Sequence, residues 1–132
     1  MVEFIKFIEQ ELKKYMNTLL NRVHGLHCIL ISDRDGINKG RSIDFDKVPE
    51  LAQRPTFLST FALASDQGSK LGLGKNKTLI CMYSQYQVIQ FNKLPLVINL
   101  IASSEANTGH CLALEEYLEP ILNDLKTAVI EP

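Results

Sequence analysis

Residues 77–102 have the sequence KTLICMYSQYQVIQFNKLPLVINLIA, in which apolar runs alternate with short polar connections. The runs are Lys77–Ser84, Tyr86–Asn92 and Leu96–Ala102, and they are rich in the β-branched and aromatic residues that favour strands. The connections are Ser84-Gln85 and Lys93–Pro95, which are short enough to join antiparallel neighbours directly. The segment therefore predicts an antiparallel meander of three strands.

Upstream of this meander, Leu26–Ser32 (LHCILIS) is a short apolar run that predicts a largely buried strand. Asp33–Gly36 follows, and its Asp-Gly pair is a strong signal for a hairpin turn. A second strand is therefore expected to begin near Ile37. Because Asn38–Arg41 are poor strand formers, we expect this strand to be a short, exposed edge.

Amphipathic segments precede and follow the strands. Residues 2–23 carry apolar side chains at helical spacing, and Gly25 is expected to end this first helix. A last helix is expected from Asn107 or Thr108 to Ile130, with a kink near Glu116 that Pro120 would cause. The predicted buried positions are Ile5, Ile8, Leu12, Tyr15 or Met16, Leu19 and Val23 in the first helix, and Cys111, Leu114, Leu118, Ile121 or Leu122, Leu125 and Val129 in the last.

A middle helix is predicted from Pro55 to Gly72, because proline suits a first helical turn and glycines end the segment. Its apolar arc is much wider than the ~100° that a helix covering one sheet needs. Two interpretations stay open: a central core helix, or a helix that packs on its own sheet and also against a partner. The main stripe is Phe57, Phe61, Ala64, Gly68 and Leu71, and Leu58, Ala62 and Leu73 extend it.

The elements follow the order α-β-β-α-β-β-β-α, which predicts an α/β (α+β) fold and, at 132 residues, one domain over residues 1–132. Lysine and arginine total 14 against 15 acidic residues, so there is no basic excess for nucleic acid. Three cysteines, an odd number, favour a reducing compartment. Glu3, Glu9 and Glu11 interrupt the N-terminal apolar segment, and Val2 stands where myristoylation needs glycine, so we expect neither a signal peptide nor that anchor.

Two loops resemble ligand-binding motifs but depart from them. Gly72–Lys75 resembles a phosphate loop, yet Ser69 and Asn76 stand where that motif needs glycine and a hydroxyl residue. Asp33–Gly36 resembles the start of a calcium loop, but a hairpin turn accounts for it fully. We expect no cofactor at either loop.

The histidines and cysteines do not indicate a metal site or an active site. His24, His27 and His110 lack the close ligand pairs of a metal site. A cysteine hydrolase that uses Cys28 or Cys111 is the enzyme alternative, but neither residue has a glycine-rich or charged activating environment. The sequence therefore predicts a protein without catalytic residues or metal ligands.

The run Lys77–Ser84 is the strongest functional feature, because it begins without polar alternation and is expected at an edge of the sheet. Exposed apolar edges aggregate unless something pairs with them. Pairing with a second chain would cover both this strand and the wide apolar middle helix. The expected partner interface consists of Phe57, Phe61, Ala64, Gly68, Leu71, Thr78, Ile80 and Met82.

Residues 54–73 (RPTFLSTFALASDQGSKLGL) closely resemble the middle helix of the MEK-partner scaffold subunits of the Ragulator complex, which belong to the roadblock family. Residues 25–27 with 32–36, residues 86–97, and residues 101–104 with 106–109 resemble the same proteins. The resemblance implies a five-stranded antiparallel sheet with the middle helix on one face and the terminal helices on the other. It also implies a heterodimer with a second roadblock subunit, formed by Lys77–Ser84 and Pro55–Gly72.

The resemblance further implies a non-catalytic scaffold that positions the MEK and ERK kinases and Rag GTPases, together with other Ragulator subunits, for MAP kinase and TOR complex signalling. The expected location is the cytoplasmic face of late endosomes and lysosomes, and a lipidated companion subunit would supply the membrane anchor. Two departures from the family are the more polar segment Ile37–Lys47 and the longer first helix, residues 1–24. The alternative is a homodimeric roadblock protein that regulates a small GTPase directly.

Overall fold

The computed structural model describes residues 2–44, 46–48, 50 and 54–130, without the side chains of residues 2, 4, 5, 8, 39 and 125–130. The predicted buried positions Ile5, Ile8, Leu125 and Val129 lie outside the described side chains. The elements are α1 (Val2–Leu20), β1 (Leu26–Ser32), β2 (Asn38–Ile43), α2 (Pro55–Ser69), β3 (Thr78–Met82), β4 (Tyr86–Lys93), β5 (Leu96–Ser103), α3 (Thr108–Ala113) and α4 (Glu115–Ile130). This order confirms the predicted one, except that the last helix is divided.

The strands form one antiparallel sheet in the order β2-β1-β5-β4-β3. The central position of β5 explains its sequence, because seven of its eight residues are buried. The hairpin of β4 and β5 and the hairpin of β1 and β2 turn at the same end of the sheet, since Ser32 pairs with Val97. The start of β3 lies at this end as well, where the Asn92 amide donates to the Lys77 carbonyl at 2.8 Å.

The second strand forms, and it is the edge strand that we predicted. Its polar sequence is held by tertiary contacts rather than by its own propensity, because β1 pairs with it and α1 covers it. Gly40 allows this close approach, since an added Cβ would lie 3.3 Å from Leu12. The Ser42 hydroxyl donates to the Asn17 side chain and ties the strand to α1.

Two apolar cores lie on opposite faces of the sheet. The larger core lies between the sheet and the terminal helices, where Met16, Leu19 and Leu118 are almost fully buried. The sequence pattern allowed either Tyr15 or Met16 as the buried residue of α1. Met16 is the buried one, and Tyr15 is 39% exposed. The smaller core lies beneath α2 and includes Leu58 and Phe61. The arrangement confirms the predicted layers.

The last helix is broken at Leu114, two residues before the position near Glu116 where we expected a kink. The Leu114 amide donates to Cys111 and the Tyr117 amide donates to Leu114, both at 3.1 Å or less and both three residues back, which tightens the backbone and ends α3. Pro120 lies inside α4, so proline is not the site of the break. The predicted cap is confirmed, because the Asn107 side chain accepts from the His110 amide at 3.0 Å.

Candidate docking surface

The two edges of the sheet differ in how they are protected. The β2 sequence NKGRSI carries charges and a glycine, and the β1–β2 ladder has a register shift at Ile31/Ser32, all of which discourage pairing with another chain. The β3 sequence TLICM has no charge, proline or glycine. Within the described part of the chain, β3 pairs with β4 and nothing pairs with its outer edge. The edge of β3 is therefore the one suited to accept another strand.

The backbone groups that face this outer edge follow from the ladder. The Tyr83 amide donates to Tyr86 at 2.7 Å, and Asn92 donates to Lys77 at 2.8 Å. Because hydrogen-bonded and non-bonded pairs alternate in an antiparallel ladder, odd-numbered residues of β3 bond to β4 and even-numbered ones point away from it. The outward residues are Thr78, Ile80 and Met82, and they offer both N–H and C=O groups.

The side chains of β3 divide between the two faces of the sheet. Leu79 and Cys81 pack on the core beneath α2. Ile80 pairs with the fully buried Ile89 and therefore points to the face of the terminal helices, together with Thr78 and Met82. Those helices leave Ile80 41% and Met82 61% exposed. The apolar sheet thus extends past its helical cover at β3.

Helix α2 uses part of its predicted stripe to bind its own sheet. Leu58, Phe61 and Ser65 are buried, and Phe57 packs edge to face on Phe61 with 5.0 Å between the ring centroids. Phe61 is only 5% exposed, so it lies in the core and is not available to a partner in this conformation. Phe61, which we expected at the partner interface, therefore packs α2 onto its own sheet. Phe57 is half-buried beside it.

The two flanks of α2 face different neighbours. Asp66 forms an ion pair with Arg34 on the flank that faces the β1–β2 turn. On the opposite flank, an added Cβ at Gly68 would lie 3.6 Å from Asn76, in the loop before β3. Ala64 lies one turn before Gly68 on this β3 side and is exposed, and Leu71, which follows the end of α2, is exposed as well. We call the outer edge of β3 and this flank the β3–α2 surface, with residues Phe57, Ala64, Gly68, Leu71, Thr78, Ile80 and Met82.

Asn76 connects α2 to the start of β3 through hydrogen bonds. Its side-chain amide donates to the Ser65 hydroxyl at 3.0 Å, its backbone amide donates to the Ser69 hydroxyl at 2.8 Å, and its carbonyl accepts from the Asn92 side chain at 3.2 Å. These hydrogen bonds therefore fix the position of α2 relative to β3.

The sequence pattern missed part of the exposed helix face. Leu63 is 64% exposed, and Thr60 and Gln67 beside it are exposed as well. Their spacing of three and four residues places them on one side of the helix, next to Ala64. This face could have been inferred, because the most apolar stripe of a helix usually packs on its own sheet and the adjacent one remains for a partner.

The residues considered for chemistry do not come together. Cys28 lies in the core beneath α2, whereas Cys111 lies in the core on the opposite face of the sheet. Burial raises the pKa of the Cys28 thiol to about 12, and burial also raises the pKa of Cys111. Both thiols are therefore protonated near neutral pH, which is the opposite of what a nucleophile needs. Asp35 and His110 are exposed.

We expect thiol reagents to distinguish the cysteines. Cys81, which is half-buried on the edge strand, should react in the native chain, and Cys28 and Cys111 should react only after unfolding. Peptide mass spectrometry after limited alkylation measures this directly. Native-state labelling of Cys28 at the rate of Cys81 would contradict the assignment and favour the enzyme alternative.

The remaining ligand-like features have structural explanations. The Asp33 carboxylate accepts from the amides of Asp35 and Ile37 at 2.9 and 3.0 Å, so the acidic turn stabilises itself. Among the described residues there is no group of His, Cys, Asp and Glu placed to hold a metal ion. None of the helices described is both long and apolar enough to span a bilayer.

Comparison with solved structures defines the class of protein. The Roadblock/LC7 domain from Streptomyces avermitilis superposes with a TM-score of 0.65, covering 83% of this chain and 96% of that domain at 13% identity. At this identity the likeness shows the fold alone. The fold is that of a roadblock domain.

Sequence comparison then defines the family. The family described as "Mitogen-activated protein kinase kinase 1 interacting" matches residues 10–129. Ragulator complex protein LAMTOR3-A of Xenopus laevis is 55% identical over 121 residues, which is 92% of this chain and 98% of that protein. Ragulator complex protein LAMTOR3 of Homo sapiens is 55% identical over 119 residues, 90% of this chain and 95% of that protein. The chain belongs to this mitogen-activated protein kinase kinase 1 interacting family, and it is a non-catalytic adaptor rather than an enzyme.

Proposed function

We propose that the chain is a scaffold subunit of a Ragulator complex and that it pairs with a second roadblock subunit through the β3–α2 surface. The observation that carries the proposal is the outer edge of β3, which is apolar, unprotected and free of pairing in the described chain. Addition of a strand there would satisfy the outward backbone groups of Thr78, Ile80 and Met82. The two sheets would then form one continuous sheet.

The flank of α2 strengthens this proposal, because it offers small and apolar side chains beside the same edge. The small, exposed Ala64 allows a second backbone to approach closely, and Leu63 and Leu71 are 64% and 74% exposed. Exposed apolar area that is contiguous with an unpaired strand is typical of a protein interface. A partner helix packed here would cover Leu63 while its strand paired with β3.

The finer roles in this proposal are those that the family resemblance implies. As part of this proposal, the heterodimer joins other Ragulator subunits and positions MEK, ERK and the Rag GTPases on the cytoplasmic face of late endosomes and lysosomes. A lipidated companion subunit provides the membrane anchor. The names of the relatives as Ragulator complex proteins, and of the family as interacting with mitogen-activated protein kinase kinase 1, support the Ragulator and MEK parts of this proposal.

Sedimentation of the pure chain, with and without a roadblock subunit of the same complex, tests the pairing. We expect one-to-one association with that partner and a higher unfolding midpoint for the mixture, because a bound partner stabilises the folded state. A chain that sediments as a stable monomer and gains no stability from the partner would contradict the proposal. A stable homodimer that ignores the partner would favour the direct regulator of a small GTPase.

A further inference from the structure

The loop between α2 and β3 has a composition unlike the rest of the chain. Residues 70–77 have the sequence KLGLGKNK, with two leucines between lysines. Leu73 is 88% exposed and Leu71 is 74% exposed, which makes them the two most exposed of the large apolar side chains described. We call Lys70, Leu73, Lys75 and Lys77 the lysine-leucine tip, and Leu71 beside it belongs to the β3–α2 surface.

The tip stands away from the body of the molecule. Gly72 and Gly74 have φ of 81° and 92°, and a Cβ added at either position would have nothing within 4 Å. The loop is nevertheless held at its base, because Asn76 bonds to Ser65, Ser69 and Asn92. The leucines are therefore presented outward on a fixed base.

The segment that contains the tip carries lysines and no acidic residue. No aspartate or glutamate occurs between residues 67 and 104, although the whole chain has a net charge of −1. Lys70, Lys75 and Lys77 are exposed, and none of them forms an ion pair among the described residues. The fourth lysine of this segment, Lys93, is bound by Glu115 and Glu119 at 2.8 and 2.5 Å.

The turn between β4 and β5 presents another exposed leucine at the same end of the sheet. Leu94, in the turn between β4 and β5, is 46% exposed and lies at the same end of the sheet as the start of β3. Of the acidic residues at this end, Asp33 is engaged by backbone amides in the β1–β2 turn and Asp66 pairs with Arg34. Glu115 and Glu119 bind Lys93, and Asp35 is exposed.

We propose that the lysine-leucine tip binds the surface of an anionic lipid bilayer. Lysine side chains can extend to lipid phosphates while exposed leucines enter the boundary between headgroups and acyl chains, which is how interfacial anchors combine charge and apolar area. Three lysines and one leucine give weak binding alone. Such binding orients an assembly that a lipid anchor has already brought to the membrane, and it adds a direct contact to the indirect attachment proposed above.

The absence of tryptophan from the chain gives a direct probe. Leu73→Trp places a single tryptophan at the tip, and Leu63→Trp places one on the exposed face of α2 as the matched control. With vesicles of phosphatidylcholine and phosphatidylserine, we expect a blue shift of Leu73→Trp emission and no shift of Leu63→Trp. With phosphatidylcholine alone, neither should shift.

Two further variants measure how much the three lysines and Leu73 contribute to vesicle binding. Changing Lys70, Lys75 and Lys77 to glutamine should weaken partitioning onto phosphatidylserine vesicles by about 100-fold, since each lysine near an anionic surface contributes about fivefold. Leu73→Ser should weaken it about tenfold through lost apolar burial. Equal binding by these variants and the unchanged chain would overturn the proposal.

The competing occupant of the tip is the roadblock partner itself. Leu73→Trp emission should stay unshifted when that partner is added, and Leu63→Trp should shift. If the partner instead shifts Leu73→Trp and abolishes its response to vesicles, the tip belongs to the protein interface and the lipid proposal is wrong. This outcome leaves the proposed pairing intact.

Discussion

Ile80→Asp is expected to weaken association with a roadblock partner by at least about 100-fold, because an unpaired charge buried at an interface costs about 3–5 kcal/mol. The isolated chain should tolerate this change, since the Ile80 side chain is 41% exposed and can leave Asp in water. Binding measured by calorimetry, together with unfolding of the variant alone, separates the two effects.

Ile37→Asp provides the matched control for this variant. Ile37 is 48% exposed and lies in the β1–β2 turn, away from β3, so the same substitution should leave association nearly unchanged. Ile80→Pro is the companion that tests the backbone, because it removes an outward-facing N–H that has no partner in the β3–β4 ladder. If Ile80→Asp and Ile37→Asp weaken binding equally, the edge of β3 is not the interface.

Gly36→Ala is expected to destabilise the chain by at least about 3 kcal/mol, because it combines a left-handed backbone with a steric clash. Gly36 has φ of 85°, and an added Cβ would lie 2.2 Å from the Pro55 carbonyl oxygen and 2.8 Å from Pro55 Cα. Both contacts are backbone atoms at the start of α2, so the turn or the helix must move. Denaturant unfolding measures the loss.

Gly72→Ala separates the clash from the backbone strain. Gly72 has φ of 81°, close to that of Gly36, but an added Cβ there meets nothing within 4 Å. We expect it to cost only the conformational penalty of about 1–2 kcal/mol. Equal losses for the two variants would show that the β1–β2 turn does not fix the start of α2. A weakened partner affinity in Gly36→Ala would extend its effect to the β3–α2 surface.

The strands were predictable because their signals are local. Leu26–Ser32 has the bounds that its apolar sequence predicts, and the meander follows from its short connections. The strand β2 was harder, because Asn38–Ile43 is stabilised by α1 and β1 rather than by its own residues. The break at Leu114 left no signal, since the buried pattern continues through it.

The β3–α2 surface was only partly predictable, because parts of it depend on tertiary packing rather than on local sequence. The apolar sequence of β3 indicated an edge that needs a partner, and the structure places it at the edge of the sheet. Which helix residues face outward depends on how α2 rotates on the sheet, so Phe61 was assigned to the interface while Leu63 was overlooked. The outward direction of the Ile80 amide depends on strand register, which sequence patterns do not define.

Hydrogen exchange of the β3 amides tests the central claim most directly. In the isolated monomer, the outward amides of Thr78, Ile80 and Met82 should exchange fast, and those of Leu79 and Cys81, which bond to β4, should exchange slowly. Binding of the roadblock partner should slow the three outward amides selectively, because a new strand then bonds to them. Outward amides that still exchange fast in the saturated complex would contradict pairing through this edge.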